Sequence, residues 1–391
     1  MSRSTFSTAT TYISLLVPTI LLLLSAQFTD ADCECGYRSA INSDSYVFTD
    51  LIESDFLHLG NISHNTDWIQ QQYNVTAKAS RGVYGTAFQV SDLVSNPLVA
   101  QNSYNGTTVN GEGDPGLQLY VRGGIPTDGY VPTSQLDSTR TDLLWGSYRA
   151  AMKLTDVPGT CGAFFWYFND SQEIDMEFLS SEFNAGINSF PVNLVMQSSK
   201  SAAQGYQNIG KNFIVANLPF DPTRGYHEYR IDFIPGNVIF YADSHVLANM
   251  NTSAVPTEAG HLILEHWSNG GSGWSYGPPV TDAVLAVSYV KAYFNSSLAS
   301  RQTDLTLRCK NSSAPNAVCA IPDQVVAPNP DSLNGNVTAN TLFFSDIHNA
   351  TFNQTVYHQS GTAANRVVRL LVVVQYVWMV LILGVMGLWR V

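Results

Sequence analysis

The segment Glu173-Ile174-Asp175-Met176-Glu177 places a carboxyl at every second position of an otherwise apolar run. Alternate side chains of an extended strand share a face, so Glu173, Asp175 and Glu177 are expected on one surface while Ile174, Met176 and Phe178 enter a core. Acids this close repel one another, and at least one should keep its proton at neutral pH. One ionised and one protonated carboxyl flanking a sugar ring are what glycosidic bond cleavage requires. A solvated strand face is the competing reading of the motif. Against it stands the preceding run Cys161-Gly162-Ala163-Phe164-Phe165-Trp166-Tyr167-Phe168, apolar on both faces, which argues for a strand deep in a sheet. Acids are costly there unless they work.

The elements that must position these acids are strands. From about Tyr46 to Phe294 the chain shows short alternating runs and turn clusters with no long helical period. Glu228, Arg230 and Asp232 alternate with Tyr229, Ile231 and Phe233 as a half-buried strand, and 284–290 reads as a more buried one. Such spacing predicts an all-β fold, two packed antiparallel sheets in a jelly-roll sandwich. On a flat strand the Cα atoms of Glu173 and Glu177 would lie roughly 13 Å apart. Double displacement needs carboxyls about 5 to 5.5 Å apart, so the strand is expected to curve around a concave cleft.

Several blocks carry a family resemblance. The acidic strand is similar to the catalytic strand of glycoside hydrolase family 16, the laminarinase, lichenase and wall-transglycosylase group. The blocks Leu144-Trp145-Gly146-Ser147-Tyr148-Arg149, Tyr226-His227-Glu228-Tyr229-Arg230-Ile231-Asp232-Phe233 with Val238-Ile239-Phe240-Tyr241-Ala242-Asp243, and His266-Trp267-Ser268-Asn269-Gly270 resemble family segments in the same order over roughly residues 40 to 296. The pattern departs from the family at Phe178, where wall transglycosylases usually carry Trp, and at Ser244 in place of a common Gly. The third acid follows after one residue rather than two, which predicts a regular strand where many laminarinase-type members bulge. The resemblance implies a concanavalin A-like sandwich, Glu173 as nucleophile, Glu177 as general acid/base and Asp175 as helper, with retention of configuration, no cofactor and β-glucan as substrate.

Trp166, Tyr167, Trp267 and Trp274 are candidate sugar platforms, since pyranose C–H faces stack on aromatic rings. His266 and Asn269 are candidate hydroxyl contacts; core packing is the alternative for each. None of the eight histidines has metal-ligand spacing, and the five cysteines contain no CxxC pair. The formal net charge of −12 across 391 residues excludes a nucleic-acid partner and leaves a neutral polysaccharide acceptable. Three function classes follow: an endo-β-glucanase on 1,3- or mixed 1,3/1,4-linked glucan, a glucan or chitin transglycosylase using the same acids, and a lectin-like binding protein. The third normally loses the acids that are all present here. A monomer is expected.

Residues 1–31 read as a secretory signal cleaved after Ala26 or Ala31, and 32–297 as the catalytic sandwich. Residues 298–365 read as a polar, glycosylatable stalk, and the apolar tail 366–391 as a GPI-attachment signal or a single membrane-spanning helix. The protein is thus expected at the cell surface or wall, anchored by that tail. Ten Asn-x-Ser/Thr sequons fit secretion. In an oxidising compartment Cys309 and Cys319 are expected to close a short loop, and one of Cys33 or Cys35 to reach Cys161.

Overall fold

The computed structural model describes residues 33–101, 103–203, 210–330 and 343–344. The segment expected to be a secretory signal, the apolar tail and three of the sequons (Asn336, Asn349 and Asn353) lie outside the described residues.

Two antiparallel-dominated sheets pack face to face. The first runs in the order β14 (Phe213–Asn217), β13 (Pro191–Ser198), β12 (Gln172–Leu179), β11 (Cys161–Asn169), β18 (His261–Trp267), β9 (Tyr130–Ser138), β6 (Gly85–Phe88), β5 (Tyr73–Val75), with β4 (Trp68–Gln70) also on β9. The second runs β17 (His245–Met250), β16 (Asn237–Ala242), β15 (His227–Ile234), β10 (Leu143–Lys153), β19 (Ala283–Ser296), β8 (Gly116–Val121), β7 (Leu93–Asn96), with β3 (Asp50–Asp55) on β19. This is the jelly-roll sandwich that the strand spacing predicts. Between the sheets lies one apolar core. β12 supplies Ile174, Met176 and Phe178 to it, β11 supplies Phe164 and Trp166, and β15 supplies Tyr229, Ile231 and Phe233. Burial of so much aliphatic and aromatic surface is the main force closing the sandwich.

The acidic strand β12 is regular. Its partners on β11 run without a break from Cys161↔Leu179 to Tyr167↔Glu173, and the irregularity falls beyond, between Tyr167 and Asn169. The unbulged strand expected from the one-residue spacing is therefore present.

The first part of the segment 298–365, expected as a stalk, is folded. Residues Ala299–Arg308 form a helix, α3, after two shorter helices, α1 (Ala77–Ser80) and α2 (Ser199–Ala203). α3 is pinned to the sandwich because Arg301 pairs with the buried Asp50, and Arg308 donates to the backbone oxygens of Glu34 and Thr49. Beyond it, β20 (Val318–Ala320) pairs in parallel with β1 (Gly36–Ile41), itself paired with β2 (Asp44–Phe48). The first part of the polar segment is thus folded structure, held by charge pairs that composition alone does not reveal.

The cysteine pairing also differs from expectation. Cys33 bonds Cys319 and Cys35 bonds Cys309, while Cys161 is a free, buried thiol. Cys309 and Cys319 are near in sequence, but α3 delivers one to Cys35, and the β20–β1 pairing sets the other beside Tyr37. Cys161 lies on β11 at the opposite sheet, beyond reach of the N-terminal cysteines.

Candidate active site

Register across the first sheet builds the site in rows. Glu177 on β12 faces Ala163 on β11, which faces Glu265 on β18, which faces Gln135 on β9. The next row reads Asp175, Phe165, Ile263, Asp137, and the third Glu173, Tyr167, His261. Because the period is two, all of these point to the concave face away from the core. They line a cleft of about 790 Å³, which Trp267, Trp274, Phe213 and Arg81 also edge.

The three acids are held differently. Burial pushes Glu173 up to about 8, opposed by a hydrogen bond with Asp175 and reinforced by the Glu177 and Asp170 charges. Burial, then the charges of Glu173 and Glu177, lifts Asp175 well above the usual carboxylate range. The shared hydrogen bond lowers Glu173 and raises Asp175, so the proton resides on Asp175 and Glu173 is the carboxyl left to ionise. Glu177 is also raised by burial, against the pull of two donors, the Trp274 indole and the Cys161 thiol. Trp274 Nε1 lies 3.1 Å from Glu177 Oε1, and Cys161 Sγ 3.6 Å from the same oxygen. The arrangement offers one carboxyl, Glu173, hydrogen-bonded to a neutral acid, and a second, Glu177, raised by burial and held by donors from outside its strand. That suits attack at a sugar carbon with proton delivery to the departing oxygen.

Tyr167, Trp267 and Trp274 line the cleft. Trp166 does not. It is fully buried between the sheets, its ring centroid 5.0 Å from that of Phe233 and its indole donating to the Leu143 carbonyl at 3.0 Å. Neighbours on one strand face opposite ways, so Trp166 and Tyr167 cannot both line the cleft. His266 fails for the same reason beside Trp267. It is fully buried, bridging the Leu119 carbonyl and the Thr160 hydroxyl at 2.9 Å each, and burial depresses it to about 4. Asn269 does border the cleft, but its amide joins two loops. Nδ2 donates to the Ser80 carbonyl at 2.7 Å, and Oδ1 accepts from the Gly271 N–H and the Ser275 hydroxyl. The loops meet so closely that a Cβ on Gly82 would sit 2.3 Å from the Asn269 carbonyl oxygen.

Sequence reasoning missed Glu265, Asp137, Gln135 and Tyr73. Asp137 accepts from Gln71 and Gln135 at 2.7 and 2.8 Å, and Tyr73 donates to Gln135 at 2.6 Å, a fixed polar chain along one wall. Glu265 has no hydrogen bond or ion pair among the described residues, and burial with the nearby Glu177, Asp137 and Glu173 raises it well above the usual carboxylate range. The alternation Ile263, Glu265, Trp267 against Leu262, Leu264, His266 was the available signal.

A curved cleft lined by closely spaced carboxyls, each raised above its ordinary value, is the setting a glycosidase needs. Residues 98–281, just under half of the chain, match the model for Glycosyl hydrolases family 16, so the chain carries a domain of that type. A Beta-glucanase of Paenibacillus macerans is 25% identical over 193 residues, which cover 48% of this chain and 73% of that protein. Crh-like protein 3 of Botryotinia fuckeliana is 26% identical over 177 residues, 41% of this chain and 37% of that protein. Among solved structures, an endo-beta-1,3-glucanase from Pyrococcus furiosus aligns with a TM-score of 0.47 at 17% identity, over 66% of this chain and 99% of that one.

Proposed function

We propose that this protein cleaves β-1,3- or mixed β-1,3/1,4-linked glucan with retention of configuration. The observation that carries the reading is the Asp175–Glu173 hydrogen bond beside a separately held Glu177 on one cleft-facing strand. Glu173 as carboxylate attacks the anomeric carbon, and the bond to the leaving oxygen breaks as Glu177 gives that oxygen its proton. Glu177, now ionised, takes a proton from water, whose oxygen displaces Glu173 and restores the starting state. A sugar hydroxyl can take the place of water in the second half, so hydrolysis and glycosyl transfer share every step up to the choice of acceptor. Tyr167 and Trp267 supply stacking surfaces for the glucan.

Proton NMR of the first product from laminarin and lichenan tests this. The β anomer is expected, and the α anomer would sink double displacement. Labelled oligosaccharide acceptors in the same assay separate hydrolysis from transfer.

Secretion and display by the apolar tail complete the proposal. Two disulfides support folding in an oxidising compartment, and ten sequons agree. Phosphatidylinositol-specific phospholipase C should release a GPI-linked form from cells and leave a membrane-spanning form in place.

A further inference from the structure

Glu177 is held asymmetrically. Oε1 accepts from the Trp274 indole at 3.1 Å and lies 3.6 Å from the Cys161 thiol, whereas Oε2 has no hydrogen-bond partner among the described residues. Both donors come from outside β12. Cys161 sits at the start of β11, two residues before Ala163, the register partner of Glu177, and so on the same face. Trp274 stands on a loop whose backbone is fixed by bonds to the Gly271 carbonyl from the Trp274 and Tyr276 N–H groups, at 3.1 and 2.9 Å. Its ring also packs at 6.3 Å from that of Phe213 on β14. The indole is therefore preset before any sugar arrives.

We propose that Trp274 and Cys161 are positioning residues: they occupy Oε1 of Glu177 and so make Oε2 the oxygen that carries the catalytic proton into the cleft. The inference rests on reading Glu177 as the acid/base. A carboxyl oxygen that accepts an N–H is a poor seat for a proton, because two hydrogens would then point at one another. The proton is thereby assigned to Oε2, the oxygen left without a donor on this cleft-lining carboxyl. Burial and the neighbouring Glu177 keep the Cys161 thiol protonated, so it remains a donor. This gives Trp274 a duty distinct from stacking, and gives the unpaired cysteine a reason to be a thiol at that place.

The other titratable groups around Glu177 are Glu173 and Asp175 on its own strand, Glu265 on β18 and Arg81 after α1; β13 presents Asn193, which does not titrate. Arg81 and the two donors favour the ionised form. Removing a donor should therefore raise the pH at which Glu177 loses its proton. As the acid must be protonated in the first step, the basic limb of the kcat/KM profile should move upward.

The test is the pH profile of the purified full chain on laminarin and lichenan. Trp274→Phe keeps the ring and removes the N–H, and should move the basic limb up by about one pH unit with a roughly tenfold lower kcat. Cys161→Ala should move it less, and Cys161→Ser, with a stronger donor, should bring it back to or below its original place. A packing role alone would lower Tm or kcat and leave the limb where it was. Glu177→Ala on a dinitrophenyl glucoside with azide separates the two claims. If azide restores turnover and the basic limb vanishes, Glu177 is the acid/base. An unmoved limb in Trp274→Phe and Cys161→Ala then overturns the positioning inference alone. A basic limb that survives in Glu177→Ala overturns the reading beneath it.

Discussion

Glu177 on β12 and Glu265 on β18 face the same residue, Ala163, from opposite sides of β11. The small side chain between them leaves two acids across a gap with no protein cation bonded to Glu265 among the described residues. Such pairs favour the protonated state and make stability depend on pH.

Groups raised above their unfolded values stabilise the fold while protonated and lose that contribution as pH climbs through the folded value. For Asp137, raised by burial to about 6, the loss falls between about pH 4 and 6. Glu265 shifts in the same direction. His266, depressed by burial to about 4, acts oppositely and loses stabilisation as pH falls from about 6.5. Melting temperature should therefore peak in mildly acid buffer. Glu265→Gln should flatten the decline above the peak, and calorimetry across pH 4 to 9 checks it; a variant curve parallel to wild type refutes the assignment.

Glu173→Gln and Glu177→Gln should each lower kcat on natural glucans by about 10³-fold or more, since neither attack nor proton delivery has a substitute in the cleft. Asp175→Asn should cost less, about 10- to 100-fold, because it removes an acidic proton from the bond to Glu173 and takes no bond to the sugar. Steady-state rates on one glucan rank the three. Wild-type turnover by Glu173→Gln would remove it from the chemistry.

Position across a strand separates stability from binding at two neighbouring pairs. Trp166→Ala should destabilise by about 3–5 kcal/mol through the cavity it leaves. His266→Ala should cost about 1–3 kcal/mol by orphaning the Thr160 and Leu119 groups. Tyr167→Ala and Trp267→Ala should instead raise KM with small changes in unfolding midpoint. Urea denaturation beside kinetics distinguishes the sets, and a large KM effect from His266→Ala with unchanged stability contradicts its placement.

Peptide mapping without reduction should recover Cys33 joined to Cys319 and Cys35 joined to Cys309, with Cys161 alkylated only after denaturation. Recovery of a Cys309–Cys319 peptide would contradict the arrangement. Loss of either bond, as in Cys319→Ser, should cost about 2–5 kcal/mol.

The sandwich and the acidic strand were legible because a period of two, sustained between apolar neighbours, admits few other structures. Glu173, Asp175 and Glu177 face the cleft and Ile174, Met176 and Phe178 the core, as alternation requires. The same rule, applied to β11 and β18, separates Tyr167 from Trp166 and Trp267 from His266; aromatic type alone merged them. Asn269 was illegible for another reason, since its partners Ser80 and Ser275 come from loops whose approach no local pattern encodes. The disulfides and α3 depend on buried pairs such as Arg301–Asp50, which join residues far apart in the chain.

The two disulfides span 286 and 274 residues and seal the polypeptide into a ring that contains both sheets and the whole cleft. A protease that nicks any loop between Cys35 and Cys309 therefore opens the ring without dividing the molecule. The clipped enzyme should keep its cleft walls together, run as one species on a non-reducing gel and separate into fragments only after reduction. In a protease-rich extracellular setting, a single cut would be survivable damage.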